Sequence, residues 1–161
     1  MLPDDRMIVR SIRSIPRQRR WLAALFLLAL MPFAAQAQLS DAKVEALVEA
    51  LRVAAPSAST DAGLYSAWRV KPDNIVRWSK RCLDREVTPE QFAADQAVAR
   101  PVLVCVMGPV LRDQLAQSNN NEMVAVQRAA AWWMTGDPAQ YRTGSTGDYT
   151  LRVLEAYLRF F

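Results

Sequence analysis

From residue 40 onward, apolar positions recur at helical spacing over most of the chain. Ser40 is placed to cap a helix in which Val44, Leu47, Val48 and Leu51 fall at i, i+3, i+4 and i+7. Lys43, Glu45, Glu49 and Arg52 lie away from that stripe, and Pro56 with the Ser57–Thr60 run closes the segment. Lys71-Pro72-Asp73 opens a second helix with Ile75, Trp78 and Cys82 on one stripe and Leu83 beside it. Between the two, Asp61–Val70 reads as a further short helix, weakened by Gly63. Thr88-Pro89-Glu90-Gln91 is the clearest start signal in the chain: a Thr cap, Pro at the first helical position and Gln placed for a capping box. That helix runs through Phe92, Ala93 and Val98 to Arg100.

Past Gly108-Pro109, Val110–Gln117 reads as a short helix ended by Ser118-Asn119-Asn120-Asn121. Glu122–Met134 differs in kind. Met123, Val126, Ala130 and Trp133 share one face, and Val124, Ala125, Ala129, Ala131 and Trp132 cover most of the rest. With only Glu122, Gln127 and Arg128 strongly polar, this is a central helix packed on several sides. Thr135-Gly136-Asp137-Pro138 stops it. After an Arg142–Gly147 loop, Thr146 or Asp148 caps a last helix whose stripe is Leu151, Leu154, Leu158 and Phe161, widened by Val153 and Tyr157. No segment alternates as a strand except Val102–Val106, which is too brief to decide, and no internal repeat is visible. The expected fold is all-α, an irregular bundle of five to six helices.

Cys82 and Cys105 constrain how those helices fold back. If residues 88–107 formed one straight helix antiparallel to residues 72–84, the two cysteines would be offset by about 22 Å at 1.5 Å per residue. A disulfide tolerates Cα separations of only about 4 to 7 Å. The chain therefore has to bend, and the expected place is near residue 100, because the residue before Pro101 disfavours helical geometry. Val102–Met107 would then return across the Trp78–Cys82 helix. Closing a loop of this size stabilises a fold by roughly 3 kcal/mol in the chain-entropy model.

Composition and charge place the protein. The chain has 161 residues, a formal net charge of +4 and no histidine. All of the excess charge sits in residues 1–20, where six arginines face two aspartates, so residues 38–161 are neutral with 14 basic and 14 acidic side chains. An uncharged run from Trp21 to Met31 follows, then Pro32 and Ala35-Gln36-Ala37. A basic region, a short apolar region and an A-x-A site describe a signal-peptide helix over residues 1–37, with cleavage after Ala37, followed by a single helical domain over 38–161. Residues 21–37 are too short and too interrupted for a comfortable membrane span, and no cysteine is near for lipid attachment. Trp21-Leu22-Ala23 follows Arg19-Arg20 poorly for the twin-arginine route, so general secretion to the periplasm or exterior is expected, with membrane contact only through that leader. In an oxidising compartment Cys82 and Cys105 form one disulfide.

These facts narrow the chemistry. Without imidazole there is no Ser-His-Asp or Cys-His machinery and no His-ligated metal, and two thiols are too few for a zinc or iron–sulfur site, so no cofactor is expected. The neutral balance of residues 38–161 removes the long-range attraction for nucleic acid. Two binding features stand out. Trp68 and Trp78 interleave with Arg69, Lys71, Arg77, Lys80, Arg81 and Arg85, and Arg77 and Arg81, four apart on one helix face, suit a phosphate, a carboxylate or an acidic partner unless they are simply solvated. Trp132 and Trp133 point about 100° apart, so both enter the core only if their helix is surrounded; otherwise one anchors a partner. Among carboxylates, Glu122 at the start of the apolar helix is the first choice for an acid–base group, with a favourable helix-terminal charge as its ordinary role. Gly144–Gly147 offers backbone donors before a helix but lacks the lysine and spacing of a phosphate loop. The expected function is protein–protein interaction without catalysis, as a chaperone, inhibitor or assembly factor with a protein partner. The alternatives are a carboxylate-dependent envelope hydrolase and an anion or small-ligand binding bundle.

Overall fold

A computed structural model of the chain describes residues 40–56 and 63–160. The expected signal segment with its cleavage after Ala37, the Ser57–Thr60 terminator and Phe161 lie outside the described residues. Among those described there are six α-helices and no strand: α1 (Asp41–Val53), α2 (Pro72–Leu83), α3 (Pro89–Ala94), α4 (Gln96–Gln117), α5 (Glu122–Thr135) and α6 (Gly144–Tyr157), with 3-10 turns at Pro138–Arg142 and Leu158–Phe160. Helices α1, α4, α5 and α6 form a ring of neighbours, α1 on α4 and α6, and α5 on α4 and α6. Helices α2 and α3 pack on the outside of α4. Leu47, Leu51, Ile75, Phe92, Leu103, Met107 and Leu111 are fully buried at the centre.

Local chemistry accounts for most boundaries. The capping box at Thr88 forms in full, with Thr88 accepting from the Gln91 backbone N–H and Gln91 accepting from the Thr88 backbone N–H. Gly136 ends α5 in the left-handed region at φ 82°. Asn121 caps α5 through its side chain. Helix α5 is central as expected, with Ala125, Val126, Gln127, Ala129, Ala130 and Ala131 buried, although Met123 points outward.

Four expectations need correction. Asp61–Val70 is not helical over its described part. Tyr65 and Val70 exchange backbone hydrogen bonds across a tight turn, with Ser66 at φ 64° and Arg69 at φ 58°. The bend falls at Asp95, extended at φ −128° and ψ 105°, rather than near residue 100. The Asp95 carboxylate accepts from the Ala97 N–H at 2.8 Å and so ends α3 and starts α4 together. Third, α4 runs unbroken through Pro101 and Pro109, where a separate short helix was expected after residue 109. Both prolines are on its exposed face, and the carbonyls they leave without an N–H partner belong to the exposed residues 97 and 105. The buried positions 99, 102, 103, 106, 107, 111 and 114 keep a continuous 3–4 spacing through both.

The last correction concerns α6, which begins at Gly144, so Gly144–Gly147 is its first turn and not a loop. A Cβ at Gly147 would meet the Arg142 backbone carbon at 2.9 Å, which is why a residue without a side chain stands there. The face turned inward is Thr146, Tyr149, Thr150, Val153, Ala156 and Tyr157, whereas Leu151 and Leu158 are 51% and 52% exposed. Thr150 suits the inner face because its hydrogen bonds are local, to the carbonyls of Tyr141 and Gly147.

With the chain turned at Asp95, Cys82 and Cys105 are paired as a disulfide with Cα atoms 6.1 Å apart. Cys105 is on the exposed side of α4. Reduction under native conditions is expected to convert the pair to two thiols, adding the mass of two hydrogens, and to lower unfolding free energy by roughly 3 kcal/mol, read by mass spectrometry and by denaturant titration with and without reductant. Pro109→Ala should restore the missing helical N–H and raise stability by about 1 kcal/mol or more, read as an upward shift in thermal midpoint; a downward shift would contradict the placement of Pro109 inside one continuous helix.

Candidate functional site

A cleft of about 570 Å³ opens between the Tyr65–Val70 turn, the first half of α2 and the end of α5. Its floor is built of residues that the fold already buries. Trp68, Val70 and Tyr149 are each 2% exposed and Trp78 is 8% exposed. Trp68 is fixed by its indole N–H, which donates to the Val48 carbonyl of α1 at 2.7 Å. Trp78 meets Trp133 with ring centroids 5.8 Å apart and planes tilted by 36°, joining α2 to α5. Trp132 and Trp133 are half-buried, packed against the core on one side and lining the cleft on the other.

The cleft rim is cationic. Arg69, Lys71 and Arg77 line it, and among the described lining residues there is no carboxylate. None of the three is in an ion pair among the described residues: the pairs present are Lys43–Glu122, Arg52–Glu49, Lys80–Glu86 and Arg100 with Glu45 and Glu49. Arg77 donates to the neutral side-chain carbonyl of Asn74 at 2.7 Å, one turn earlier on α2. Arg69 reaches the rim from a left-handed backbone conformation that costs a non-glycine residue roughly 1–2 kcal/mol. Leu64 and Met134, 38% and 45% exposed, complete the rim with apolar surface. Burial pushes the Tyr149 phenol upward against the opposing charge of Arg152, so it stays neutral in the floor.

Three of the four candidate binding residues converge here. Arg77, Trp132 and Trp133 line the cleft, whereas Arg81, on the exposed side of α2, does not. Trp68, Arg69, Lys71 and Trp78 join them. Their signal was the density of tryptophan and basic residues within residues 68–78, which placed no emphasis on any one of them.

Glu122 has a different setting. Its carboxylate is ion-paired with Lys43 of α1 and accepts a hydrogen bond from the Tyr157 hydroxyl of α6 at 2.6 Å. Burial raises its pKa, but the hydrogen bonds from Lys43 and Tyr157 and the Lys43 charge outweigh that, and the net shift is downward. Burial and the neighbouring carboxylate push Tyr157 upward. The three side chains tie α1, α5 and α6 at one end of the bundle, away from the cleft lining. Among the described residues no group of three or more His, Cys, Asp or Glu could hold a metal ion, and no helix is long and apolar enough to cross a membrane. Set against protein-family models, curated proteins and solved structures, the chain matches none of them.

Because the Glu122 carboxyl titrates below its ordinary value of 4.5, the stability it contributes is complete above that value and is lost as the pH falls through its lower, folded value. Glu122→Gln is therefore expected to lower stability at pH 7 and to flatten the acid limb of the stability curve, measured by denaturant titration across pH. An acid limb as steep as that of the parent protein would rule out this role for Glu122.

Proposed function

We propose that this chain is an exported, non-catalytic binding protein and that the tryptophan-floored cleft is its recognition site, taking a group of negative charge. One observation carries the proposal: three cations share the rim with no described carboxylate to neutralise them. In a folded domain, surface cations are ordinarily interspersed with acids, as with Lys80 and Glu86 here, 3.1 Å apart. The Cys82–Cys105 pair is compatible with an oxidising compartment, which supports export. The partners of Glu122 favour a structural use of that carboxylate over acid–base chemistry. Contact with a protein partner is a second reading. Leu151 of α6 and Leu158 of the 3-10 turn that follows it favour it as exposed apolar side chains that the described bundle does not cover.

The probe 8-anilinonaphthalene-1-sulfonate, an aromatic anion, should bind saturably at one site and quench tryptophan fluorescence. Affinity is expected to fall at least about tenfold, or about 1.4 kcal/mol, in Lys71→Ala/Arg77→Ala and to stay unchanged in Arg112→Ala, each shown to be folded by circular dichroism. Absence of saturable binding, or equal binding by the double variant, would sink the proposal. Capture of a protein whose retention needs Leu151 and Leu158 but not Arg77 would favour the second reading.

A further inference from the structure

The cleft has two chemically distinct parts, and together they specify a ligand more narrowly than its charge. Its apolar surface is presented by the half-buried Trp132 and Trp133 with Leu64 and Met134, 38% and 45% exposed, and is backed from beneath by Trp68, Val70 and Trp78 at 8% exposure or less. Such surface rewards an apolar body and offers no hydrogen bonds to a free inorganic ion, whose hydration would be lost without replacement. The rim carries Arg69, Lys71 and Arg77, with Asn74 beside them. Asn74 spends its carbonyl on Arg77, which leaves its amide N–H groups as further donors on the same side. The volume of about 570 Å³ is of the size that holds a small molecule. We infer that the cleft binds a single-chain anionic amphiphile, with an acyl or similarly apolar tail on the tryptophan floor and a carboxylate or phosphate head against Arg69, Lys71 and Arg77. The inference rests on the proposed anion-binding role of the cleft and adds the requirement for a tail.

The turn that presents Trp68 and Arg69 supports this division of labour. Trp68 is locked to Val48 beneath the floor, and the next residue is held in the left-handed region with its side chain at the rim. Glycine at position 69 would relieve the backbone cost while removing the cation. The effect on binding is thereby separable from the effect on folding.

Competition against bound 8-anilinonaphthalene-1-sulfonate at pH 7, with all amphiphiles kept monomeric, tests the inference. The competitors are laurate, dodecyl phosphate, dodecanol, dodecyltrimethylammonium and inorganic phosphate. Laurate or dodecyl phosphate should displace the probe at least about tenfold better than dodecanol, and whichever of the two is stronger identifies the head group. Dodecyltrimethylammonium and inorganic phosphate should displace little. Arg69→Gly should weaken the anionic amphiphiles about tenfold with no loss of thermal midpoint, and Lys71→Ala should weaken them without altering dodecanol. Dodecanol or the ammonium competing as well as laurate would overturn the requirement for an anionic head. Inorganic phosphate competing as well as dodecyl phosphate would overturn the requirement for a tail. Failure of every competitor while the sulfonate still binds would overturn the inference and leave the anion-binding cleft standing, whereas loss of sulfonate binding itself would remove both.

Discussion

The fold turns on one carboxylate. Asp95 caps α4 at the residue where α3 ends, and its extended backbone redirects the chain between two helices that would otherwise run on as one. Because the turn comes there, α4 lies across α2 with Cys105 opposite Cys82. Because α2 is held against α4, Trp78 reaches Trp133 of α5, and the first half of α2 becomes a wall of the cleft. The same turn lets α4 keep a single buried stripe over 22 residues, which carries it past two prolines. Each proline removes one helical hydrogen bond, a cost of about 3 kcal/mol in a helix interior. Burial of Ala99, Val102, Leu103, Val106, Met107 and Leu111 offsets it, at roughly 1.5–3 kcal/mol for each larger aliphatic side chain.

The cleft departs from the economy of the rest of the bundle. The ion pairs among the described residues lie elsewhere: Arg100 spans Glu45 and Glu49, and Lys43 meets Glu122. At the cleft, Arg69 is held in a disfavoured backbone conformation, and the cations stand together with no carboxylate among the described lining residues. Under the proposed function, backbone strain and clustered positive charge in one place are what a site retains when binding is worth more than local stability. Leu151 of α6 and Leu158 just beyond it are a different departure, since they are exposed where the inner face of α6 has threonine and tyrosine.

Much of this was legible in the residues. The stripes of α1 and α2, the capping box at Thr88, the glycine stop of α5 and the all-helical class follow from periodicity and turn chemistry. The need for a bend follows from the reach of a disulfide, but its position does not, since Pro101 is a louder breaker than an aspartate that caps. In α4 the buried spacing already ran through residue 109, but prolines were given more weight than the pattern they interrupt. In α6 the leucines are the louder signal than Thr146 and Thr150, and the local hydrogen bonds of Thr150 make it acceptable inside. For the site, Arg77, Trp132 and Trp133 could be picked out by type. Their convergence with Trp68, Arg69 and Lys71 depends on tertiary placement, which no spacing rule contains.

The disulfide joins residues 23 apart in sequence and encloses α3, the Asp95 turn and the first half of α4. Every residue needed to form that hairpin is therefore local, while the cleft also requires α5 and α6, far along the chain. Once closed, the cross-link preserves a preformed local unit in the unfolded ensemble, and its small loop costs little entropy to make. The fold thus holds a covalently fixed α2–α4 element made of local residues, whereas the cleft is completed only by helices that come later in the chain.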